Sequence, residues 1–364
     1  MIQNKIILFQ FLGSNSFFEA SDLNAVDNKG EFIKMLKDDL SKKGYKSEPL
    51  KNQSLDNVYA ILFFDMHSVF PKNSSIFKKI KFIVYNWLRK DTSSRNIFFE
   101  EKKLKIKIKK YLIAFEPKII CPDNYKQKFA NFFDETFSWS NECCGGSSIN
   151  NLIKLPVHIN KYKDINKKSF KNKKLLISIS SNKGSYEKAS LCGFKFNGYK
   201  ELYKNLKKDF DLYGYFWDQS FIEWLSKFIR GKKSKFFFQL PGYYRGIIDS
   251  KKDVLPFYKF CLVIENMSDI SFITEKIFHA IDYGCIPIYY GAPDIGKYVP
   301  KECFIDFRDF KDWNLLCKYI KIFDEKKYQK FLYHRKNFLS SSIYKEFSSS
   351  AFSQKVSERI TLEN

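Results

Sequence analysis

Tyr258-Lys259-Phe260-Cys261-Leu262-Val263-Ile264-Glu265-Asn266 is followed, after a short polar run at 267–271, by Phe272-Ile273-Thr274-Glu275-Lys276-Ile277-Phe278-His279-Ala280. The first apolar run has strand length and no alternation, the mark of a strand covered on both faces, and predicts a strand over 260–265. Thr274 stands where a helix N-cap belongs, and the spacing that follows predicts a helix over 274–283. Gly284-Cys285-Ile286-Pro287-Ile288-Tyr289-Tyr290-Gly291-Ala292-Pro293 then reads as a second buried strand over 285–290 with a tight exit. A short helix at 292–299 and a strand at 303–307 complete a βαβαβ unit, one half of a doubly wound parallel fold.

Outward from this core, strands are expected at 174–180 and 211–215, with a helix at 199–208 between them. The first half alternates in the same way. Strands are expected at 5–10, 59–64, 111–115 and 135–139, and helices at 31–43 and 75–88. Apolar density drops across 159–174, which is rich in Lys and Asn and reads as a linker. The division expected is therefore an α/β domain over 1–165, a second over 166–345, and a tail over 346–364 that docks on the body through Phe347, Phe352 and Ile360.

Ligands of open α/β sheets bind beyond the carboxyl ends of the strands and at helix amino termini, the place taken by residues 265–276. Glu275 in the first helical turn suits the helix dipole. Lys276 beside it opposes the dipole unless an anion is present to be neutralised, so the pair reads as a solvated helix start or as an anion site. At the end of the second strand Gly291 lets the backbone approach whatever lies above it, or simply makes a tight turn.

Taken together these segments resemble the glycosyltransferase family ten fucosyltransferases, whose donor-site pattern runs Tyr-Lys-Phe, Glu-Asn, an aromatic–aliphatic pair before Thr-Glu-Lys, Pro-Ile/Val-Tyr, and Gly-Ala/Ser-Pro/Asn. Tyr258-Lys259-Phe260, Glu265-Asn266, Thr274-Glu275-Lys276, Pro287-Ile288-Tyr289 and Gly291-Ala292-Pro293 match it in order and spacing. The resemblance covers residues 174–320 well and the first half weakly. It implies a GT-B-like fold, two Rossmann-like domains with parallel sheets facing across a cleft, the first binding the acceptor and the second the nucleotide sugar. It further implies inverting transfer of fucose from GDP-fucose to a glycan hydroxyl, of α-1,3 type, with no cofactor and no obligatory metal.

By the same resemblance Asn266, Phe272, Thr274, Glu275 and Lys276 line the donor site, with Glu275 suited to ribose hydroxyls and Lys276 to phosphate. Phe272 replaces the family's usual Tyr and removes a hydroxyl. The family arginine would fall near Tyr199, where Lys195 and Lys200 are the nearest cations, and Arg245 is a candidate substitute. Leu112-Ile113-Ala114-Phe115-Glu116-Pro117 resembles the family's strand-end segment that carries the general base, which assigns that role to Glu116. The alternative carboxylate is Asp65.

Composition sets outer limits. With 364 residues, 44% of them hydrophobic, the chain can build two cores. A charge of +23 calls for an anionic partner: nucleotide, anionic membrane surface or nucleic acid. No nucleic-acid recognition motif accompanies it, so no specific nucleic acid is expected. The lysine-rich run 102–110 reads as an edge strand with one wet face, and 167–174 as a charged linker. The eight cysteines lack paired spacing and read as buried thiols in a reducing compartment. With no spanning segment or leader in evidence, a cytoplasmic location is expected, in contact at most with a membrane surface. Asp209-Phe210-Asp211 matches a D-x-D metal motif, but it follows a helix and reads as a helix-to-strand turn, and the four histidines have no ligand spacing. Competing readings are the same fold with another nucleotide sugar, an inactive relative, and a basic nucleic-acid-binding protein.

Overall fold

A computed structural model describes residues 5–11, 30–50, 53–66, 97–144, 149–155, 168–182, 189–217 and 242–362. The helix expected at 75–88 lies outside the described residues. The chain divides into two compact units, one built from 1–156 together with 349–364 and the other from 157–348.

The first unit has a six-stranded sheet of β1 (Lys5–Gln10), β2 (Tyr45–Pro49), β3 (Val58–Phe64), β4 (Lys109–Ala114), β5 (Glu135–Ser138) and β6 (Ile149–Leu152) in the order β2-β1-β3-β4-β5-β6. Every pairing is parallel. Successive side chains leave opposite faces, so Ile7, Phe9, Ala60, Leu62, Tyr111 and Ile113 join one core while Leu8, Ile61, Phe63 and Leu112 join the other. Helix α1 (Glu31–Lys42) covers the first core with Ile33, Leu36 and Leu40.

The run 102–110 is not an edge strand. Residues 102–104 end helix α2 (Ile97–Leu104), and Lys109 and Lys110 open a strand paired on both sides. The physical reason is pairing: buried Lys110 donates to both oxygens of Glu101, at 2.7 and 2.9 Å, so its charge is met inside the unit.

The second unit holds β7 (Lys174–Ile179), helix α3 (Cys192–Leu206), β8 (Phe210–Tyr213), β9 (Tyr258–Ile264), helix α4 (Glu275–Asp282), β10 (Ile286–Tyr290) and β11 (Ile305–Asp306). Its five-stranded parallel sheet runs β11-β10-β9-β7-β8. Phe260, Leu262 and Ile264 face Phe196, Tyr199 and Leu202 of α3, while Cys261 and Val263 face Ile277, Phe278 and Ile281 of α4. Coverage on both faces explains why β9 is apolar without alternation. In each unit the first two strands reverse the order, giving the flavodoxin-like arrangement 2-1-3-4-5 in the second unit and the same order extended by a sixth strand in the first, with the switch point between the first and third strands.

Residues 168–174 are packed, against the expectation of a linker. Phe170 is buried, Lys173 donates to the Pro256 carbonyl, and Lys174 begins β7. The unit continues through α5 (Trp313–Lys321), α6 (Glu325–Leu339) and α7 (Ser342–Glu346). The last helix, α8 (Ser349–Thr361), belongs to the first unit, where Phe352, Val356 and Ile360 enter the core beside α1. All eight cysteines are buried and free. Among the described residues no helix is long and apolar enough to cross a membrane.

Candidate functional site

The switch point of the second unit lies between β7 and β9, and the sequence-predicted residues gather beyond the ends of those strands. Glu265 follows β9 directly, and its side chain is wholly buried. Burying a carboxylate is costly unless it is paired and hydrogen-bonded. Here the Thr274 amide and hydroxyl donate to Oε1 at 2.9 Å each, and the Lys276 ammonium donates to Oε2 at 2.6 Å. Lys276 also donates to the Thr274 hydroxyl at 2.9 Å.

Thr274 occupies the N-cap position with extended backbone, as its place in the sequence predicted, but its hydroxyl serves Glu265 and makes no cap hydrogen bond to the first turn of α4. The helix dipole at this end favours an anion, and the Glu275 carboxylate accepts from its own amide in that first turn. Glu275 and Lys276 flank this end. Burial raises the Glu275 carboxyl, yet Lys276, Lys251 and His279 outweigh it and hold its pKa at about 2. His279, one turn further, is buried and lies 3.0 Å from the Lys251 ammonium through Nδ1.

The other wall comes from β7 and α3. Buried Lys195 donates to the Ser180 hydroxyl at 3.0 Å, and desolvation, aided by the nearby Lys276 charge, brings its pKa down to about 8. Tyr199 is a core residue, 1% exposed, whose hydroxyl shares a hydrogen bond with Ser178 at 2.9 Å. Burial pushes that phenol up to about 12. Half-buried Asn266 ties the walls together, since its carbonyl accepts the Leu191 amide at the start of α3. A cavity of about 30 Å³ is lined by Ser178, Ser180, Tyr199, Lys251, Lys276 and His279. Lys195, Lys251 and Lys276 make this end of the sheet cationic.

Two features fix the loop over the site. Phe272 is buried and acts as an apolar anchor. Ser271, in left-handed backbone at φ 62°, donates its amide to Asp294 at 2.8 Å and shares a hydrogen bond with the Tyr298 hydroxyl. Gly291 sits against the buried carboxylate: an added Cβ would lie 2.5 Å from Glu265 Cγ. Its carbonyl accepts from Ser268 and from Arg308.

Arg245 is held in a different cluster. Its Nε donates to Asp211 at 2.5 Å, and Asp211 also accepts from Tyr258 at 2.6 Å and Lys174 at 3.0 Å. The second Asp of Asp209-Phe210-Asp211 is therefore saturated inside β8, and the first lies in the turn that precedes it. Among the described residues no group of acidic, His or Cys side chains has a metal-holding arrangement.

Glu116 follows β4 in the first unit and is half-buried. Its amide donates to Asp65 at 2.9 Å, and its carbonyl accepts from Asn124 at 3.1 Å. Sequence reasoning singled out Asn266, Glu275 and Lys276 but passed over Glu265, although a carboxylate closing an apolar strand signals a buried partner. Lys251 carried no such signal.

Residues 242–358 match the model of the glycosyltransferase family 10 (fucosyltransferase) carboxyl-terminal domain. An alpha-(1,4)-fucosyltransferase of Arabidopsis thaliana is 44% identical over 64 residues, which is 18% of this chain and 16% of that protein. An alpha-(1,3)-fucosyltransferase of Helicobacter pylori is 36% identical over 74 residues, 20% of this chain and 16% of the relative. A GDP-fucose protein O-fucosyltransferase 3 of Bos taurus is 33% identical over 82 residues, 22% and 17% of the two chains. The matched stretch thus spans less than a fifth of each relative.

Structural likeness extends further. A crystallised alpha1,3-fucosyltransferase with GDP superposes with a TM-score of 0.53 at 13% identity, covering 99% of this chain and 91% of that one. Anabaena Alr3699/HepE in complex with UDP and glucose gives 0.51 at 12% identity, with 98% and 99% covered. At such identities the likeness speaks for the fold alone: two parallel-sheet α/β units, the GT-B architecture. The segment 242–358, about a third of the chain, carries a glycosyltransferase family 10 (fucosyltransferase) carboxyl-terminal domain match, and most of it lies in the second unit.

Proposed function

We propose that this chain is a fucosyltransferase that takes GDP-fucose as donor and transfers fucose to a hydroxyl of a glycan or glycosylated protein, in an α-1,3 sense and with inversion. The observation that carries the reading is the start of α4, with Glu275 and Lys276 in its first turn, at the switch point of the second unit and inside the family match. In this reading the α4 amides and Lys276 hold the diphosphate, and Glu275, ionised throughout the physiological range, accepts from ribose hydroxyls. Asn266, Thr274 and Phe272 shape the loop, and Lys195 adds charge beneath it. Arg245 serves the donor only if it leaves Asp211.

The chemistry is a single displacement. The acceptor oxygen bonds to the fucose anomeric carbon, the bond from that carbon to the diphosphate oxygen breaks, and GDP departs with the electron pair. Glu116 takes the acceptor proton, and the cations stabilise the leaving diphosphate. Calorimetric titration with GDP-fucose, GDP-mannose, UDP-glucose and UDP-galactose tests the donor. Tight binding of GDP and GDP-fucose, with product anomeric configuration read by NMR, supports the reading; preference for a UDP-sugar overturns it. The charge of +23 supports an additional contact with an anionic membrane surface. Co-sedimentation with phosphatidylserine vesicles, lost at high salt, checks that contact.

A further inference from the structure

Strand β3 ends at Phe64, and the next residue, Asp65, turns into left-handed backbone at φ 58°. A glycine would meet that conformation at no steric cost. The carboxylate therefore needs another explanation, which its contacts supply. Asp65 Oδ1 accepts the amides of Phe115 and Glu116, each at 2.9 Å, and the Asn124 side-chain amide at 2.8 Å. Two consecutive amides of a strand end, fifty residues further along the chain, converge on one oxygen.

The surroundings hold the same short segment. Asn124 is wholly buried and also donates to the Glu116 carbonyl at 3.1 Å, while its own Oδ1 accepts the Met66 amide at 2.8 Å. Tyr125 donates its hydroxyl to the Glu116 carbonyl, and the Trp139 indole donates to the Phe115 carbonyl at 2.9 Å. Cys143 and Cys144 reach the Asn124 carbonyl through thiol and amide, which gives this adjacent pair a structural task. Residues 115 and 116 are thus fixed by four side chains, of which Asp65 binds both amides. Unconventional backbone held by many partners is characteristic of a functional strand end.

We propose that Asp65 is a positioning residue for Glu116: its carboxylate fixes the backbone that carries the base, and it takes no proton from the acceptor itself. The inference rests on the reading of Glu116 as general base. Burial raises the Asp65 carboxyl while the three N–H donors oppose that rise, and those donors commit Oδ1 to the backbone of residues 115 and 116. The consequence is a loss of orientation when the carboxylate is removed, and misplacement of a reacting group by about 1 Å costs on the order of 100-fold.

Asp65→Gly keeps the backbone conformation and removes the carboxylate; Asp65→Asn keeps an acceptor oxygen. GDP release from GDP-fucose is followed with a mixture of galactose- and N-acetylglucosamine-terminated oligosaccharides, in wild-type and Glu116→Gln backgrounds. Asp65→Gly is expected to lower kcat by about 10- to 100-fold with donor KM within about threefold, and Asp65→Asn to recover most of the rate. In the Glu116→Gln background Asp65→Gly should cost less than about twofold more, because residues acting as a unit are not additive. An equal loss in both backgrounds, a matching rise in donor KM, or unchanged kcat in Asp65→Gly overturns the positioning role. Full turnover by Glu116→Gln overturns instead the reading of the base, and the positioning role with it.

Discussion

Lys276, proposed to hold donor phosphate, is paired in the structure with a buried carboxylate. It neutralises Glu265, a fully buried carboxylate, at 2.6 Å. Removing one partner of a buried pair leaves an uncompensated charge, at a cost of about 3–5 kcal/mol. Lys276→Ala is therefore expected to lower the melting temperature as well as to weaken GDP binding. Lys276→Ala combined with Glu265→Gln should recover stability but not GDP affinity, and differential scanning calorimetry with titration separates the two. Stability unchanged in Lys276→Ala would show that the ion pair is dispensable.

The residue scale also carries a pH dependence. Lys195 has a folded pKa of about 8, below the ordinary lysine range, because burial opposes its charge and Lys276 adds repulsion. Between about 8 and the unfolded value near 10.5 the unfolded state binds more protons, so this group's destabilising contribution is full below 8 and fades as pH rises through that window. Donor affinity runs the other way. The ammonium that a diphosphate would favour is lost above about 8, so GDP affinity should fall from pH 8 to 9.5 in the wild type and stay flatter in Lys195→Met. Glu275, held at about 2, should contribute no titration of affinity between pH 4 and 6.

Among the elements, α8 connects the end of the chain to its beginning. Phe352, Val356 and Ile360 form its buried stripe beside α1. Ser353 donates to Asp39 at 2.6 Å, and Arg359 meets Glu135 in a two-pronged contact of 2.6 and 2.9 Å. Most of its stabilisation comes from the apolar stripe, since the Arg359 pair is partly exposed and screened by solvent. Ile360→Ala is expected to cost about 2–4 kcal/mol, against well under 1 for Arg359→Met. Chemical denaturation followed by tryptophan fluorescence would measure both, and equal losses would reverse the ranking.

Helix α4 is fastened at the end opposite Glu275 and Lys276. Arg335 of α6 donates to the carbonyls of Ile281 and Asp282, and Tyr344 donates to the Asp282 carboxylate. Cations at a helix carboxyl end complement the dipole, so Arg335 both holds the helix and reinforces the field at its amino terminus. At the other boundary Gly291 leaves no room for a methyl beside Glu265. Gly291→Ala should cost about 1–3 kcal/mol by overpacking and weaken GDP binding through Glu265 and Lys276. Native GDP affinity in that variant would show that the carboxylate can move aside.

For the whole molecule, both units share the order 2-1-3-4-5, extended by a sixth strand in the first, and each places polar residues beyond strands of its switch point. Turnover on the proposed mechanism uses amides, lysines and a carboxylate, so it should persist in excess EDTA. Loss of GDP release in EDTA with restoration by Mn²⁺ would return attention to Asp209-Phe210-Asp211.

The amino-acid sequence by itself determined the strands of the second unit, the helix after Thr274 and the motif residues around it. Those signals are local: a strand buried on both faces must be apolar throughout, and a helix start declares itself through its first turn. Tertiary structure alone decided the partners. Glu265 with Lys276, Arg245 with Asp211, Lys110 with Glu101, and Asp65 with the amides of 115 and 116 all join residues whose spacing carries no periodic signal. The run 102–110 looked like an edge strand because alternation cannot reveal that a distant strand covers it. Ser353 reaches Asp39 across 314 positions. Charge pairing is a property of the folded surface, where desolvation selects which carboxylate each cation must meet, and only the assembled units bring those groups within range.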